Sequence, residues 1–94
     1  MFDWNDLKYF LAVARHRSTT AAGNSLGLSQ STVQRRLAEL ERAIGQPLVK
    51  RHPSGYRLTK FGEELLPHAV RIESAVTDFE RRVADEAHDL TGLT

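Results

Sequence analysis

Two helical patterns meet across only three residues, and this short connection restricts the fold more than any other feature. Residues 19–26 indicate a short helix that Ser18 caps, and Gly27-Leu28-Ser29 interrupts it. From Ser29 onward, apolar residues at helical spacing indicate a second helix that ends at Gly45; they are Val33, Leu37, Leu40 and Ile44. Two helices joined so closely are typical of a helix-turn-helix.

A third helix and a small apolar centre are predicted around this pair. Asp3 or Asn5 can cap an amino-terminal helix. Its apolar residues at helical spacing are Leu7, Phe10, Leu11 and Ala14. The small residues Ala22 and Gly23 are expected where the paired helices cross closely. The apolar plug that sets their angle is expected to consist of Leu26, Leu28 and Val33.

A two-stranded hairpin is predicted directly after Gly45. Residues 48–51 and 56–59 read as short strands, and His52-Pro53-Ser54-Gly55 has the composition of a turn. We place this wing at residues 48–58. Residues 1–59 therefore predict a mainly α, winged helix-turn-helix domain with a three-helix core and a two-stranded wing.

Residues 60–87 predict one long helix, which Thr59 caps. Its apolar residues alternate at spacings of four and three, which favours a seam between paired helices; they are Leu65, Ala69, Ile72, Val76, Phe79 and Val83. We expect a homodimer through this linker helix, although the same residues can instead pack on the first helix of their own chain. Pro67 is expected to bend the helix. Residues 88–94 are expected to begin a connection to a further domain.

The charge of the chain is strongly segregated, although its formal net charge is only +1. Residues 15–60 contain nine Lys or Arg and two acids, whereas residues 61–94 contain three Arg and eight acids. A basic stretch that coincides with a helix-turn-helix is the electrostatic pattern of a face that binds nucleic acid.

Several other classes of protein are disfavoured by what the sequence contains. It has no cysteine for a disulfide or a thiolate metal site, and its apolar runs are too short to span a membrane. Acids and Trp4 stand where a secretory signal needs basic and apolar residues, which indicates a cytoplasmic protein. The histidines lack metal-site spacing; they are His16, His52, His68 and His88. No phosphate loop or activated nucleophile is evident, so we expect neither an enzyme nor a cofactor.

Residues 30–44 are the predicted recognition helix, because a helix-turn-helix inserts its second helix into the major groove. The base-reading side chains are predicted on its outward face, before the first acid; they are Gln30, Ser31, Gln34 and Arg35. Gln can pair with adenine and Arg with guanine. Basic and polar side chains of the wing are predicted to contact phosphates or the minor groove; they are Lys50, Arg51, His52, Ser54 and Arg57.

The sequence resembles the DNA-binding region of LysR-type transcriptional regulators. The matching residues are Leu7-Lys8-Tyr9-Phe10-Leu11-Ala12-Val13-Ala14, Ser18, Thr20, Ala22, Leu26, Leu28-Ser29-Gln30, Val33, Arg35, Leu37, Leu40-Glu41, Gly45, Pro47-Leu48, Arg51, Leu58-Thr59, Gly62 and Leu66-Pro67. The resemblance implies a dimer on an inverted-repeat DNA site and leaves open a higher oligomer of the full-length protein. It also implies that a separate domain binds a small-molecule effector. It also implies backbone contacts from Ser29, Thr32 and Arg36, and a location at the bacterial nucleoid.

This sequence departs from the usual pattern of that family at five positions. Thr19 replaces a common aromatic residue, which is expected to reduce core volume. Ser31 and Gln34 replace a common Pro and Ser, which changes the groups that face the bases. Val49 and Lys50 replace a common Phe and an acid. We therefore expect a base preference that differs from that of typical relatives.

Two alternatives remain at the level of the sequence. The long helix and the basic face could belong to a protein-interaction module with an acidic partner. Arg36 and Arg42 could pair with Glu39 or Glu41 along their own helix, and for Arg42 this is the favoured interpretation.

Overall fold

Four helices and one antiparallel hairpin follow one another along the chain. The computed structural model describes the backbone of residues 3–92 and the side chains of residues 3–87. The elements are α1 (Trp4–His16), α2 (Thr19–Leu26), α3 (Gln30–Ile44), β1 (Val49–His52), β2 (Gly55–Leu58) and α4 (Lys60–Gly92). This order confirms the predicted winged helix-turn-helix followed by a long helix. No helix among the described residues is long and apolar enough to cross a membrane.

Side-chain caps explain where each helix begins. Asp3, not Asn5, caps α1 through a capping box, in which Asp6 returns a hydrogen bond to the Asp3 backbone. The hydroxyls of Ser18, Ser29 and Thr59 accept hydrogen bonds from backbone N–H groups in the first turns of α2, α3 and α4 respectively. The predicted starts of the helices are therefore confirmed.

The core forms where α1 meets the paired helices, the wing and the base of α4. Its buried members are Phe10, Leu11, Ala12, Val13, Ala22, Val33, Leu37, Leu40, Leu48 and Ala69. Trp4, Leu26 and Tyr56 pack on its edge as partly buried residues. Leu28 was expected in the apolar plug, but 38% of its surface is exposed, so that prediction was wrong. Leu28 lies in the turn itself, where the chain runs over the surface.

Gly23 permits the close crossing of α2 and the turn that follows it. A Cβ atom at this position would lie only 2.6 Å from the backbone oxygen of Leu28. The Leu28 N–H in turn donates to the Gly23 carbonyl at 2.8 Å, so the two backbones touch directly. The predicted need for a small residue at this crossing is confirmed, and it sets the position of α3 relative to α2.

The wing is attached to the helices by backbone hydrogen bonds. Val49 pairs with Leu58 and His52 pairs with Gly55 in an antiparallel register. The Tyr56 N–H donates to the carbonyl of Arg17 at 2.9 Å, which joins β2 to the end of α1. The Glu41 carboxylate accepts from the N–H groups of Leu48 and Val49, at 2.6 and 3.2 Å, which joins α3 to β1. The wing therefore has a set position beside α3.

Helix α4 continues to Gly92, beyond the predicted end at residue 87. The backbone of residues 88–92 is thus helical, where a connection was predicted, and residues 93–94 lie outside the described part. Near its base, Ala69 is buried and Leu65 packs on the core of its own chain. The alternative that these residues contact their own domain therefore holds for Leu65 and Ala69, since both pack in or against the core of this chain.

An ion pair holds α4 against the end of α1. The two terminal NH₂ groups of the Arg15 guanidinium donate to the two carboxylate oxygens of Glu73. These hydrogen bonds raise the pKa of Arg15 and lower the pKa of the Glu73 carboxyl. No local pattern in the sequence predicts this contact, because Arg15 and Glu73 are 58 residues apart along the chain.

Candidate nucleic-acid interface

The first two turns of α3 present the predicted base-reading residues at the surface. Gln30, Ser31 and Arg35 are exposed, and Gln34 is half-buried at the same side of the helix. The opposite side carries Val33, which is fully buried. Helical periodicity therefore separates the outward polar groups from the residues that hold the helix on the core.

Ser29 and its neighbours form a compact hydroxyl cluster at the start of this helix. The Ser29 hydroxyl accepts from the Thr32 N–H at 3.2 Å and lies 2.8 Å from the Thr32 hydroxyl. Ser31 Oγ is 3.3 Å from Ser29 Oγ. Backbone N–H groups at a helix start attract anions, so these residues stand where a phosphate contact is chemically reasonable.

The wing contributes cations and a structured tip. Lys50, Arg51 and Arg57 are exposed, and none of them forms an ion pair with another described residue. The Arg51 guanidinium lies 5.8 Å from the centre of the Tyr56 ring, a cation–π contact that keeps its charge in place.

The predicted tip residues His52 and Ser54 bond to one another. Ser54 N–H donates to His52 Nδ1 at 3.3 Å, and Ser54 Oγ lies 2.9 Å from the same nitrogen. A backbone N–H can only donate, so Nδ1 is the acceptor in this bond. The other ring nitrogen, Nε2, is thus the atom through which His52 can donate to a phosphate oxygen.

The recognition helix and the wing share one open cleft of about 240 Å³. Residues from both elements line it; they are Gln30, Gln34, Arg51, His52, Pro53, Gly55 and Tyr56. Amide groups of α3 and the Arg51 cation of the wing therefore face the same space. This arrangement can contact bases and backbone of one ligand at the same time.

Two arginines of α3 differ in how their charge is used. Arg36 lies 3.9 Å from Glu39, a weak exposed pair of the kind that the sequence allowed. Arg42 was expected to pair in the same way, but it has no ion pair among the described residues, and Glu41 is engaged by the wing backbone. The predicted pairing of Arg42 is therefore wrong.

Thr19 is a residue of this site that the sequence did not predict. Its buried hydroxyl accepts from the side-chain amides of both Gln30 and Gln34. The sequence feature that could have indicated this contact is the pair of glutamines one helical turn apart on α3, together with a polar residue on α2. These residue types alone do not show that both glutamines bond to the same hydroxyl.

The comparison with protein families identifies this arrangement. Residues 4–63 match the model of the bacterial regulatory helix-turn-helix proteins of the lysR family. This chain belongs to that family. The match covers the three-helix core and the wing and ends in the first turn of α4, so the resemblance deduced from the residues is confirmed.

Curated relatives are regulators that are much longer than this chain. A probable hydrogen peroxide-inducible genes activator of Mycobacterium avium is 40% identical over 89% of this chain and 27% of its own length. The transcriptional regulator HdfR of Escherichia coli is 42% identical over 83% of this chain and 28% of its own length. These relatives are transcriptional regulators and not enzymes. The chain spans little more than a quarter of either.

Solved structures of the family have the same fold. The CbnR DNA-binding domain, in a complex with DNA, is 32% identical with a TM-score of 0.80 and covers 92% of this chain and 99% of its own. The BenM DNA-binding domain, bound to a catB site, is 26% identical with a TM-score of 0.85 and covers 92% of this chain and 97% of its own.

Proposed function

We propose that this chain is the DNA-binding domain of a transcriptional regulator that recognises double-stranded DNA by sequence. Helix α3 lies in the major groove, and the wing lies against the backbone or the adjacent minor groove. The observation that carries this proposal is the shared cleft, where the amides of Gln30 and Gln34 adjoin Arg51 of the wing, a cation that has no ion-pair partner among the described residues. Two family members of the same fold were solved with DNA, which supports it.

Two kinds of contact divide the work in this proposal. The base edges are read by four residues of α3, which are Gln30, Ser31, Gln34 and Arg35. Lys50, with the other wing residues and the α3 start, contacts phosphates and sets the register without reading sequence. Binding therefore depends on salt, because each neutralised phosphate releases counterions.

Paired substitutions separate these two roles. Arg35→Ala is expected to cost about 1–3 kcal/mol on the preferred site and to relax the preference at one base pair. Lys50→Ala is expected to weaken specific and random duplexes alike and to reduce the salt slope by about one unit. Fluorescence anisotropy on both duplexes across a salt series measures both effects, with Arg82→Ala on the exposed part of α4 as control.

The outcomes distinguish this function from the protein-interaction alternative. Equal losses on both duplexes for Arg35→Ala would remove it as a base reader. Equal affinity for duplex DNA and for polyglutamate would instead favour a basic face built for an acidic protein. Selection of bound sequences from a random duplex library then shows whether the preferred site is an interrupted inverted repeat.

We further propose that α4 pairs two copies of this chain. Beyond the part that packs on the core, α4 carries an apolar stripe in which Ile72, Phe79 and Val83 are 42%, 71% and 55% exposed. Val76 lies between them at the same spacing and is half-buried. Large apolar side chains in one stripe indicate a surface that another molecule covers, and the spacing favours a second identical helix.

A charge in this stripe tests the pairing. Phe79→Asp is expected to weaken self-association by at least about tenfold, because two like charges would be buried against each other. Sedimentation velocity across a concentration series measures this change. Ser74→Asp places the same charge on the other side of α4 and is expected to leave the mass unchanged. An unchanged dimer in Phe79→Asp would show that the interface lies elsewhere.

The remaining proposals concern the whole regulator. A small-molecule effector would bind a separate domain of a longer protein, and the support for such a domain is that this chain spans only 27% and 28% of two curated relatives. A regulator of this kind acts on the chromosome, so we propose a cytoplasmic protein associated with the nucleoid. A higher oligomer of the full-length protein is measured by the same sedimentation experiment.

A further inference from the structure

Thr19 occupies an uncommon position for a hydroxyl. It is the one buried polar side chain among the described residues, with 2% of its surface exposed, and it stands at the start of α2. A buried hydroxyl needs hydrogen-bond partners, because leaving it unpaired costs free energy. Its partners come from α3 and not from the core that surrounds it.

Two side-chain amides converge on this single oxygen. Gln30 Nε2 lies 3.1 Å and Gln34 Nε2 lies 3.4 Å from Thr19 Oγ1. The two glutamines are one helical turn apart on α3, so one atom of α2 can reach both. Both also line the cleft between α3 and the wing.

The chemistry of the hydroxyl sets the orientation of these amides. A hydroxyl carries one hydrogen and can accept two hydrogen bonds, so it cannot donate to both amides. At least one amide must donate to Thr19, and in this structure both do. An amide that turns its NH₂ group toward Thr19 turns its carbonyl oxygen away from α2.

Amide orientation matters for the reading of bases. In the major groove, an outward carbonyl oxygen accepts from the amino group of adenine or cytosine, whereas an outward NH₂ group donates to guanine or thymine. The terminal torsion of a free glutamine is broad and allows both orientations. A buried hydroxyl that holds the NH₂ group removes this freedom, while one N–H of each amide stays available for a paired contact with adenine.

We propose that Thr19 is a positioning residue that sets the base preference of Gln30 and Gln34. It holds both carbonyl oxygens toward the DNA and favours adenine or cytosine over guanine or thymine at the contacted positions. Thr19 itself is buried and does not touch DNA. The inference rests on the proposed function, because it requires that α3 lies in the major groove.

Removal of the hydroxyl tests the inference. Thr19→Val keeps the branched shape, and we expect it to reduce discrimination among bases at the two glutamine-contacted positions by about three- to tenfold. Affinity for random duplex is expected to stay within about twofold, because phosphate contacts are retained. Thr19→Ser restores the hydroxyl and is expected to restore the preference. Thr77→Val, an exposed threonine of α4, is the matched control.

A second measurement does not depend on DNA. Among the three glutamines of the chain, Gln46 is exposed and has no role in this network, so it serves as an internal reference. In the NMR spectrum of the free protein, Thr19→Val is expected to shift the side-chain amide signals of Gln30 and Gln34 and to leave that of Gln46 in place. Thr19→Ala is the second variant for the case in which valine disturbs the packing, because it removes the same hydroxyl and introduces no branched side chain.

The results separate this inference from the proposed function. If the parent protein prefers one DNA sequence and both Thr19→Val and Thr19→Ala keep that preference, the role of Thr19 is overturned while the proposed function stands. Equal losses in Thr19→Ser and Thr19→Val also overturn it, since the hydroxyl would then be irrelevant. A parent protein that binds all duplexes equally overturns the proposed function as well. Loss in Thr19→Val with rescue by Thr19→Ser supports the inference.

Discussion

Helices α3 and α4 carry a similar apolar spacing and use it in different ways. In α3, Val33, Leu37 and Leu40 are all buried, whereas in α4 Phe79 is 71% exposed. Helix α3 has 15 residues and lies across the core, while α4 has 33 residues, or about 50 Å at 1.5 Å per residue. The molecule is 57 Å long and only 24 Å wide, so its core covers one end of α4 alone. Periodicity identifies a helix face, and helix length decides whether the same chain can cover it.

The largest effect is expected for an apolar residue of the covered helix. Leu40→Ala should lower the free energy of unfolding by about 2–5 kcal/mol, because it leaves a cavity in the core. Urea denaturation measures this at a protein concentration below that of self-association. Phe79→Ala is the counterpart on α4 and should cost less than about 1 kcal/mol under those conditions. Similar losses for the two variants would contradict the distinction between the helices.

An intermediate effect is expected where α4 begins to pack on the domain. A Cβ atom at Gly62 would collide with the backbone carbonyl of Leu48. Gly62→Ala should therefore destabilise the domain by about 1–3 kcal/mol, although alanine is the better helix former. Thermal unfolding measures it, and Ser74→Ala on the exposed part of α4 is the control. A stabilised Gly62→Ala variant would show that the base of α4 is not held against the wing.

The smallest effect is expected at the boundary between the covered and exposed parts of α4. Contact with Arg15 lowers the pKa of Glu73, so the pair stabilises the folded state fully above the ordinary carboxyl value of 4.5. This contribution is lost as pH falls through the lowered pKa of the folded state. Glu73→Gln should cost up to about 1 kcal/mol at pH 7, because the pair is partly exposed.

The measurement for Glu73 is a pH series of urea denaturation. The difference between the parent and Glu73→Gln should shrink at low pH, while Glu86→Gln, an exposed acid of the same helix, should show no such trend. A difference that is constant across pH would mean that Arg15 and Glu73 do not hold α4 through their charges.

Local signals in the sequence predicted the framework of the fold correctly. Ser18, Ser29 and Thr59 cap the helices that they were expected to cap, since an N-cap acts within three residues. The prediction for Leu28 was wrong because this residue lies in the turn between α2 and α3, where its side chain is exposed. The predicted pairing of Arg42 was wrong because Glu39, the acid one helical turn before it, lies beside Arg36, and Glu41 accepts from two backbone N–H groups of the wing.

In the candidate site as well, the sequence predicted one part, and the other part required the tertiary structure. The exposed face of Gln30, Ser31 and Arg35 follows from helical periodicity, so the sequence was sufficient to find it. The hydrogen bonds from Gln30 and Gln34 to Thr19 join α3 to α2 across the turn. They depend on how far apart the two helices lie in space, and the spacing of residues along the chain does not give that distance.

The sequence alone determined the helices, the wing and the basic face, because caps, apolar spacing and charge are local properties. Only the tertiary structure decided which apolar residues of α4 belong to the core and which remain exposed. It also decided that one buried hydroxyl orients two amides of the recognition helix. The physical reason is that burial and hydrogen bonding between elements depend on how the helices cross, and that crossing results from contacts distributed over the whole domain.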